Sequence, residues 1–326
     1  MNRKAIYGLA LCALLAGALP AAAEDYPLRT ITMIVPYPAG GASDVVARIM
    51  AEGMGKVLKQ TIIIENIGGA GGTIGTTRAA EAKPDGYTLL AASMGSLVSA
   101  PAVTPNVRYD STKDFAMVGL TANAPVAVVA RKDFPAGNLK DFIAYIKAHG
   151  GNVKQAHGGI GSSSHMACLL FANETGVKPQ QVAYRGTGPA LNDLIGGHVD
   201  YFCEQIVSVA PAVGGKLIKA FVVSGDERSA ALPDVPSAKE SGLPNFKINI
   251  WSAMFAPKST PREIVDKLAA ALSKTLDDPQ IAAKLAKLGG SVPTANERGP
   301  AHLEALVKAD VARWHPILTA AMKQAK

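Results

Sequence analysis

The chain has 326 residues, 48% hydrophobic and 18% charged, with a formal net charge of +7. That is enough sequence for a substantial core, and two medium domains are expected. Positive residues are dispersed and form no tail, which argues against a nucleic-acid partner, and three cysteines are too few for a disulfide scaffold.

Arg3 and Lys4 precede an apolar run at residues 5–19 and the small residues Ala21, Ala22 and Ala23. This pattern predicts a secretory signal peptide over residues 1–23, with mature sequence from Glu24. Beyond it no apolar stretch approaches the roughly 18 residues of a spanning helix, so a soluble exported protein with no direct membrane anchor is expected. Cys12 leaves with the signal, and the residues before it do not suit a lipoprotein. Cys168 and Cys203 remain in apolar surroundings that suit buried free thiols, and they are expected to be unpaired.

Strand and helix signals then alternate. Residues 30–37, TITMIVPY, are β-rich; residues 45–58 place Val46, Ile49, Met50 and Val57 at helical intervals; residues 61–64 restore a strand. A glycine-rich turn at 68–72 leads into a helix ending near Lys83, and Pro84, Asp85 and Gly86 turn the chain into a strand at 87–91. A short strand at 125–132 and a helix at 139–149 open a second series. It continues with a strand at 153–156, a loop at 158–164, a helix at 166–174, a turn at 185–189, the helix-like ALNDLIGG and the strand-like HVDYFCE. Strands at 220–223 and 248–255 flank a stretch at 226–247 rich in charge, proline and glycine. From Thr260 the character is helical: Thr260 is expected to cap, Pro261 to start the helix, and Ile264, Leu268, Leu272 and Leu276 to form its apolar stripe. Asp278 and Pro279 begin another helix. Residues 294–297 are expected to cap the last, whose apolar face includes Leu303, Leu306 and Trp314.

Repeated βα units predict an α/β fold with mostly parallel sheet flanked by helices. The expected division is residues 24–124 and 248–326 as one lobe and 125–247 as an inserted second lobe, with a ligand between them.

Three loops carry the chemistry. In Tyr37-Pro38-Ala39-Gly40-Gly41-Ala42-Ser43-Asp44 the glycines leave backbone N–H groups uncovered before a helix, a natural seat for a carboxylate. Ser43 could add a hydroxyl donor, Asp44 a helix cap or an acceptor for water or an amine, and Tyr37 a cover over the ligand. The bland alternative is an ordinary strand-to-helix turn. Gly161-Ser162-Ser163-Ser164-His165 is the candidate opposite wall, with hydroxyls that cap a helix or donate to a second carboxylate, and His165 as a polar contact. Arg185, Gly186 and Thr187 form a third wall, where Arg185 pairs with a carboxylate or simply sits exposed, and Thr187 caps a helix. Gln205 is a candidate contact, and Ser93 and Gly95 follow a strand as cleft-lining positions. Glu204 in such a cleft needs a basic or amine partner to avoid repulsion.

The turn GGAGGTIG lacks dinucleotide spacing, no HExxH or GxSxG pattern occurs, and a serine hydrolase using His165 lacks a recognisable activated arrangement. No catalytic residue, metal or cofactor is therefore expected.

PYPAGGASD, DGYTLL, GSSSH, YRGTGPALNDLIGGHVD, LPDVPSAKESGLP and FAPKSTP, in that order, resemble the extracytoplasmic receptors of tripartite tricarboxylate transporters, the TctC or Bordetella uptake gene (Bug) family. The resemblance covers essentially residues 26–326. It implies an α/β two-lobed periplasmic binding protein of the Venus flytrap, type II-like architecture. Such a receptor is a monomer that hands an organic carboxylate, foremost a C4 to C6 dicarboxylate, to large and small membrane permease subunits. It also implies that the loop from Tyr37 to Asp44 holds one carboxylate and the loop before His165 meets the far end. Arg185 stands where family members carry lysine. A carboxylate sensor, or a receptor for an aromatic carboxylate or acidic amino acid, is the alternative.

Overall fold

The computed structural model describes residues 26–324, so the expected signal peptide and its cut site lie outside the described residues. The first series of elements is β1 (Ile31–Val35), α1 (Ala42–Leu58), β2 (Ile62–Asn66), α2 (Thr73–Ala80), β3 (Thr88–Ser93) and the short α3 (Ala100–Val103). β1 pairs in parallel with β2 on one side and β3 on the other. Being covered on both faces, it reads as a continuous apolar run instead of an alternating one. α1 buries Val46, Ala47, Met50 and Met54 against it and ends on Lys59 in the left-handed region.

β4 (Phe115–Arg131) follows, and here the structure corrects the sequence reading. The strand expected at 125–132 is only the second part of a 17-residue element. Residues 115–124 escaped recognition because they are buried on both faces, so no alternation shows. Gly119, Asn123 and Pro125 also interrupt the β-forming composition, and irregularities near Gly119 and Ala122 break the register.

The second series is α4 (Leu139–His149), β5 (Lys154–His157), α5 (Ser163–Thr175), β6 (Gln180–Ala183), α6 (Thr187–Ile195), β7 (Tyr201–Gln205), α7 (Ile206–Gly214) and β8 (Ile218–Val223). β9 (Asn249–Pro257), α8 (Arg262–Leu276), α9 (Pro279–Lys287) and α10 (Pro300–Gln324) complete the chain. One mixed sheet runs β2-β1-β3-β9-β4-β7-β5-β6, with β8 also on β4. Its outer strands are parallel, whereas β4 is antiparallel to β7, β8 and β9.

The partners of β4 change between Pro125 and Val126: residues 115–125 pair with β9, and from Val126 onward the strand pairs with β7 and β8. At this switch the buried Ser224 hydroxyl accepts from Val126 N–H (2.9 Å) and donates to the Ile248 carbonyl (2.6 Å). Three crossing segments are thereby tied at one point.

The C-terminal helices return to the first series, α8 packing on α1 and α10 on α3 and β4. Trp251 on β9 donates from Nε1 to Asp310 on α10 (2.7 Å). Two expectations here need correction. Thr260 does not cap α8; its hydroxyl donates to the Pro257 carbonyl, because the turn ending β9 claims it first. The buried stripe of α8 runs through Val265, with Ile264 only half-buried. Thr294 and Glu297 do form a reciprocal capping box, but on a single 3₁₀ turn just ahead of α10.

The expectation of free thiols is overturned. Cys168 on α5 and Cys203 on β7 form a disulfide, with Cα atoms 5.2 Å apart and both side chains buried. Apolar surroundings are equally compatible with a buried bond, and only the packing of α5 across β7 reveals the proximity. A closed loop of 35 residues is worth about 4 kcal/mol in the chain-entropy account. The Cys168→Ser/Cys203→Ser protein is therefore expected to lose about 2–4 kcal/mol of unfolding free energy in a denaturant titration, and reductant should lower the wild-type midpoint while leaving the variant's unchanged.

Candidate functional site

A small cavity of about 20 Å³, room for little more than a water, lies between the two series of elements, well below the roughly 300–1,000 Å³ of an open ligand pocket. Four helices begin at its wall. Ala42 and Ser43 open α1; Ser162, Ser163 and Ser164 open α5; Thr187 opens α6; Glu204 and Gln205 immediately precede α7. Tyr37 from the first loop and Ser93 at the end of β3 complete it. Each helix follows directly from the end of a strand or its loop, so the sheet places all four N-termini on one side of the molecule. The unpaired N–H groups of a helix start carry partial positive charge, and four such ends converging on one space give it a field suited to an anion. Among the described residues, no lysine, arginine or histidine lines the cavity.

The serines divide their work. Ser162 caps α5, its hydroxyl accepting from His165 N–H (3.2 Å), and the Ser164 hydroxyl accepts from Gly158 N–H (2.8 Å). Ser163 lies 3.4 Å from Ser93 across the cleft, one hydroxyl from each side. Tyr37 donates to the Gly71 carbonyl (3.0 Å), and burial pushes its phenol well up, so it stays a neutral hydroxyl.

Several expected contacts stand behind the wall. Asp44 does not cap α1 and lies outside the cavity wall; its carboxylate accepts from Gly40 N–H (3.0 Å), Arg48 and Asn66, and these partners hold its pKa down against the burial that raises it. Its role is to shape the first loop, where Gly40 has a φ of +85°. His165 turns away: its Nδ1 lies 3.2 Å from the Gly161 N–H, which donates to it, and its ring packs on His157. Burial, with His157 beside it, lowers its pKa to about 4, so it is a neutral structural ring and not a cationic contact. Arg185 is exposed and outside the wall, and Thr187 lines the cavity without capping α6, whose N-cap is Gly186.

The remaining expected residues form the seam between the two sides. A β-carbon on Gly41 would collide with the Thr187 hydroxyl, and one on Gly188 with the Ala39 carbonyl. Gly95, Gly161 and Gly186 meet Ser163, Ala100 and Pro38 in the same close manner. Backbone approaches backbone here, which brings helix starts from both sides to the same space.

Sequence reasoning did not single out Ala42 within its loop and left the direction of Glu204 open; both are wall residues. β7 is buried throughout, so inward and outward positions show no alternation and Glu204 gave no sign of its direction. Its side chain is 1% exposed, and its Oε1 accepts from Gln205 N–H (2.8 Å). Glu204 Oε2 and Gln205 Oε1 are two of three buried side-chain atoms without a hydrogen-bond partner among the described residues. Burial raises the Glu204 pKa to about 8.

Residues 46–322 match the tripartite tricarboxylate transporter family receptor, TctC. The chain belongs to this family. MatC from Rhodopseudomonas palustris, solved with bound malate, is 43% identical, with a TM-score of 0.86 over 90% of this chain and 100% of its own. The periplasmic binding protein BugD is 40% identical, with a TM-score of 0.88 over 91% of this chain and 98% of its own. R. palustris Rpa4515, solved with adipate, is 28% identical, with a TM-score of 0.86 over 91% and 98%. The fold is thus that of the two-lobed α/β periplasmic binding proteins, and the family is one of solute receptors. No helix among the described residues is long and apolar enough to cross a membrane.

A carboxyl whose folded pKa is raised favours the fold below its ordinary value of 4.5 and loses that advantage as pH rises to about 8. Each pH unit in that window costs about 1.4 kcal/mol. Ligand-free Glu204→Gln protein should therefore match wild type near pH 4.5 and exceed its melting temperature increasingly up to pH 8, with no further divergence above; parallel profiles would show that Glu204 is not desolvated in solution.

Proposed function

We propose that this protein is a periplasmic receptor that encloses an aliphatic dicarboxylate of four to six carbons and delivers it, as a monomer, to the large and small permease subunits of a tripartite tricarboxylate transporter. The binding lobes are residues 24–124 with 248–326, and residues 125–247. The observation that carries this reading is the convergence of four helix N-termini on a cavity with no cationic side chain. Each N-terminus presents roughly half a positive charge, so four offset about two negative charges, those of a dicarboxylate. Two of the helices that supply wall residues, α5 and α6, lie in the second lobe, and α1 in the first. A ligand with a carboxylate at each end engages both sides at once. Relatives at 43% and 28% identity hold malate and adipate, which supports an aliphatic dicarboxylate.

The site needs no covalent chemistry. Its hydroxyls and backbone N–H groups orient the ligand, and closing the seam removes water and strengthens each of those hydrogen bonds. Binding energy thereby stabilises the arrangement in which Gly41 meets Thr187, and that arrangement is what a permease would recognise.

Calorimetry on refolded, ligand-free protein against C4 to C9 dicarboxylates, citrate, acidic amino acids, nicotinate and terephthalate tests the reading. One-to-one binding confined to C4–C6 aliphatic acids is expected, with no turnover. Preference for an aromatic or amino acid would overturn the cargo assignment, and silence across the panel the receptor assignment. Gly41 has an extended backbone that alanine tolerates, so Gly41→Ala adds only a methyl group at the seam. It should weaken binding by about tenfold or more while leaving the melting temperature of the free protein unchanged, and Thr187→Gly in the same chain should recover part of the loss.

A further inference from the structure

Glu204 is the one acidic side chain in the wall of a cavity built for an anion, and its hydrogen bonding shows how the contradiction is resolved. Oε1 already accepts from the Gln205 N–H, while Oε2 is buried, unpartnered and part of the cavity wall. The nearby Ser208 hydroxyl is engaged with the Gln205 carbonyl (3.0 Å). No cation in the wall balances a charge at this position, and burying an unpaired carboxylate is far more costly than burying the neutral acid. A proton on this carboxyl therefore belongs on Oε2, where it is available to a ligand.

We infer that neutral Glu204 is a specificity-determining donor, its Oε2–H giving a hydrogen bond to one ligand carboxylate, so that loading of the receptor is coupled to a proton. The inference rests on the carboxylate-receptor reading above and adds the protonation state of the complex. When Glu204 is ionised in the free protein, the balance is protein carboxylate plus ligand dianion plus one solvent proton, giving the complex of the neutral acid with the dianion. When Glu204 is already neutral, no proton is taken up. The arriving carboxylate adds a like charge beside Glu204 and raises its proton affinity further, as in paired carboxyls that share one proton.

Other groups around the cavity do not titrate in the window that matters. Tyr37 on the first loop is held neutral by burial. His165 on α5 is neutral above about pH 4, and His157 on β5 is likewise lowered by burial. Asp44 on α1 stays ionised with Arg48 beside it. Burial places the free Glu204 near pH 8.

The test is calorimetric titration of the intact mature protein with malate and succinate from pH 6.5 to 9.5, where both ligand carboxyls are ionised, in pairs of buffers of different ionisation enthalpy. Proton uptake should be near zero at pH 6.5 and approach one per ligand above pH 8, with affinity falling by up to about tenfold per pH unit there. Glu204→Gln places an amide N–H where the acid proton stood; it should bind several-fold more weakly than wild type at pH 6.5, show a flat profile and bind more tightly than wild type at pH 9.5. Glu204→Leu should bind at least about tenfold more weakly than wild type at pH 6.5, with a flat profile above it. Wild-type binding with no proton uptake and a flat profile would overturn this inference alone, without reference to any variant. So would a folded Glu204→Gln protein that has lost binding at pH 6.5, since that marks an ionised acceptor for a ligand amine or hydroxyl. Absence of dicarboxylate binding by wild type at every pH would overturn the receptor reading and this inference with it.

Discussion

The convergence of helix N-termini on one cavity without a cationic side chain is the constraint that the rest of the structure accommodates. Partial positive charge at a helix start falls off within the first turn, so α1, α5, α6 and α7 act together only if their first residues reach the same small space. Side chains between the two sides would hold them apart. The glycines at 41, 95, 161, 186 and 188 remove that obstacle, and Asp44 fixes the first loop through Gly40 so that its N–H groups face a defined direction. The disulfide has the same geometric sense: Cys203 adjoins Glu204, and Cys168 lies one turn beyond Ser164, so the bond clamps two of the four helix starts to each other.

Movement of one side against the other must be compatible with a sheet that is continuous through β4. The pairing switch at Pro125 and Val126 provides this, because the strand is laddered to β9 before that point and to β7 and β8 after it. Pro125 contributes no N–H to be broken. Ser224 holds the crossing of β4, the exit of β8 and the approach to β9 through its own hydroxyl.

The alternating elements and the three chemical loops were legible because each loop carries glycine or serine directly before an apolar-periodic helix. Seven of the ten wall residues, among them Tyr37, Ser43, Ser163 and Thr187, lie in those loops, and Ser93 and Gln205 end strands. What remained hidden has a common cause. β4 and β7 are buried on both faces, so the period-two signal that reveals a strand and the direction of its side chains is absent. Hence the length of β4 and the inward position of Glu204 were invisible. The Cys168–Cys203 bond depends on packing between elements 35 residues apart, and the division between Asp44 and Ser43, or His165 and Ser163, depends on which side of a helix start faces the cleft.

Charge balance links these features to Glu204. Four helix ends of about half a charge each offset two negative charges. An ionised Glu204 would consume half of that positive field, leave one ligand charge uncompensated and place two carboxylates in contact within a buried site. A neutral Glu204 leaves the field intact and adds a donor. A lysine or arginine in its place would bind the anion more firmly but would have to be separated from it at release, at the large cost of parting desolvated opposite charges. Dipoles and neutral donors hold a dianion while water can still replace each contact singly as the seam opens, which suits a receptor whose cycle ends in release.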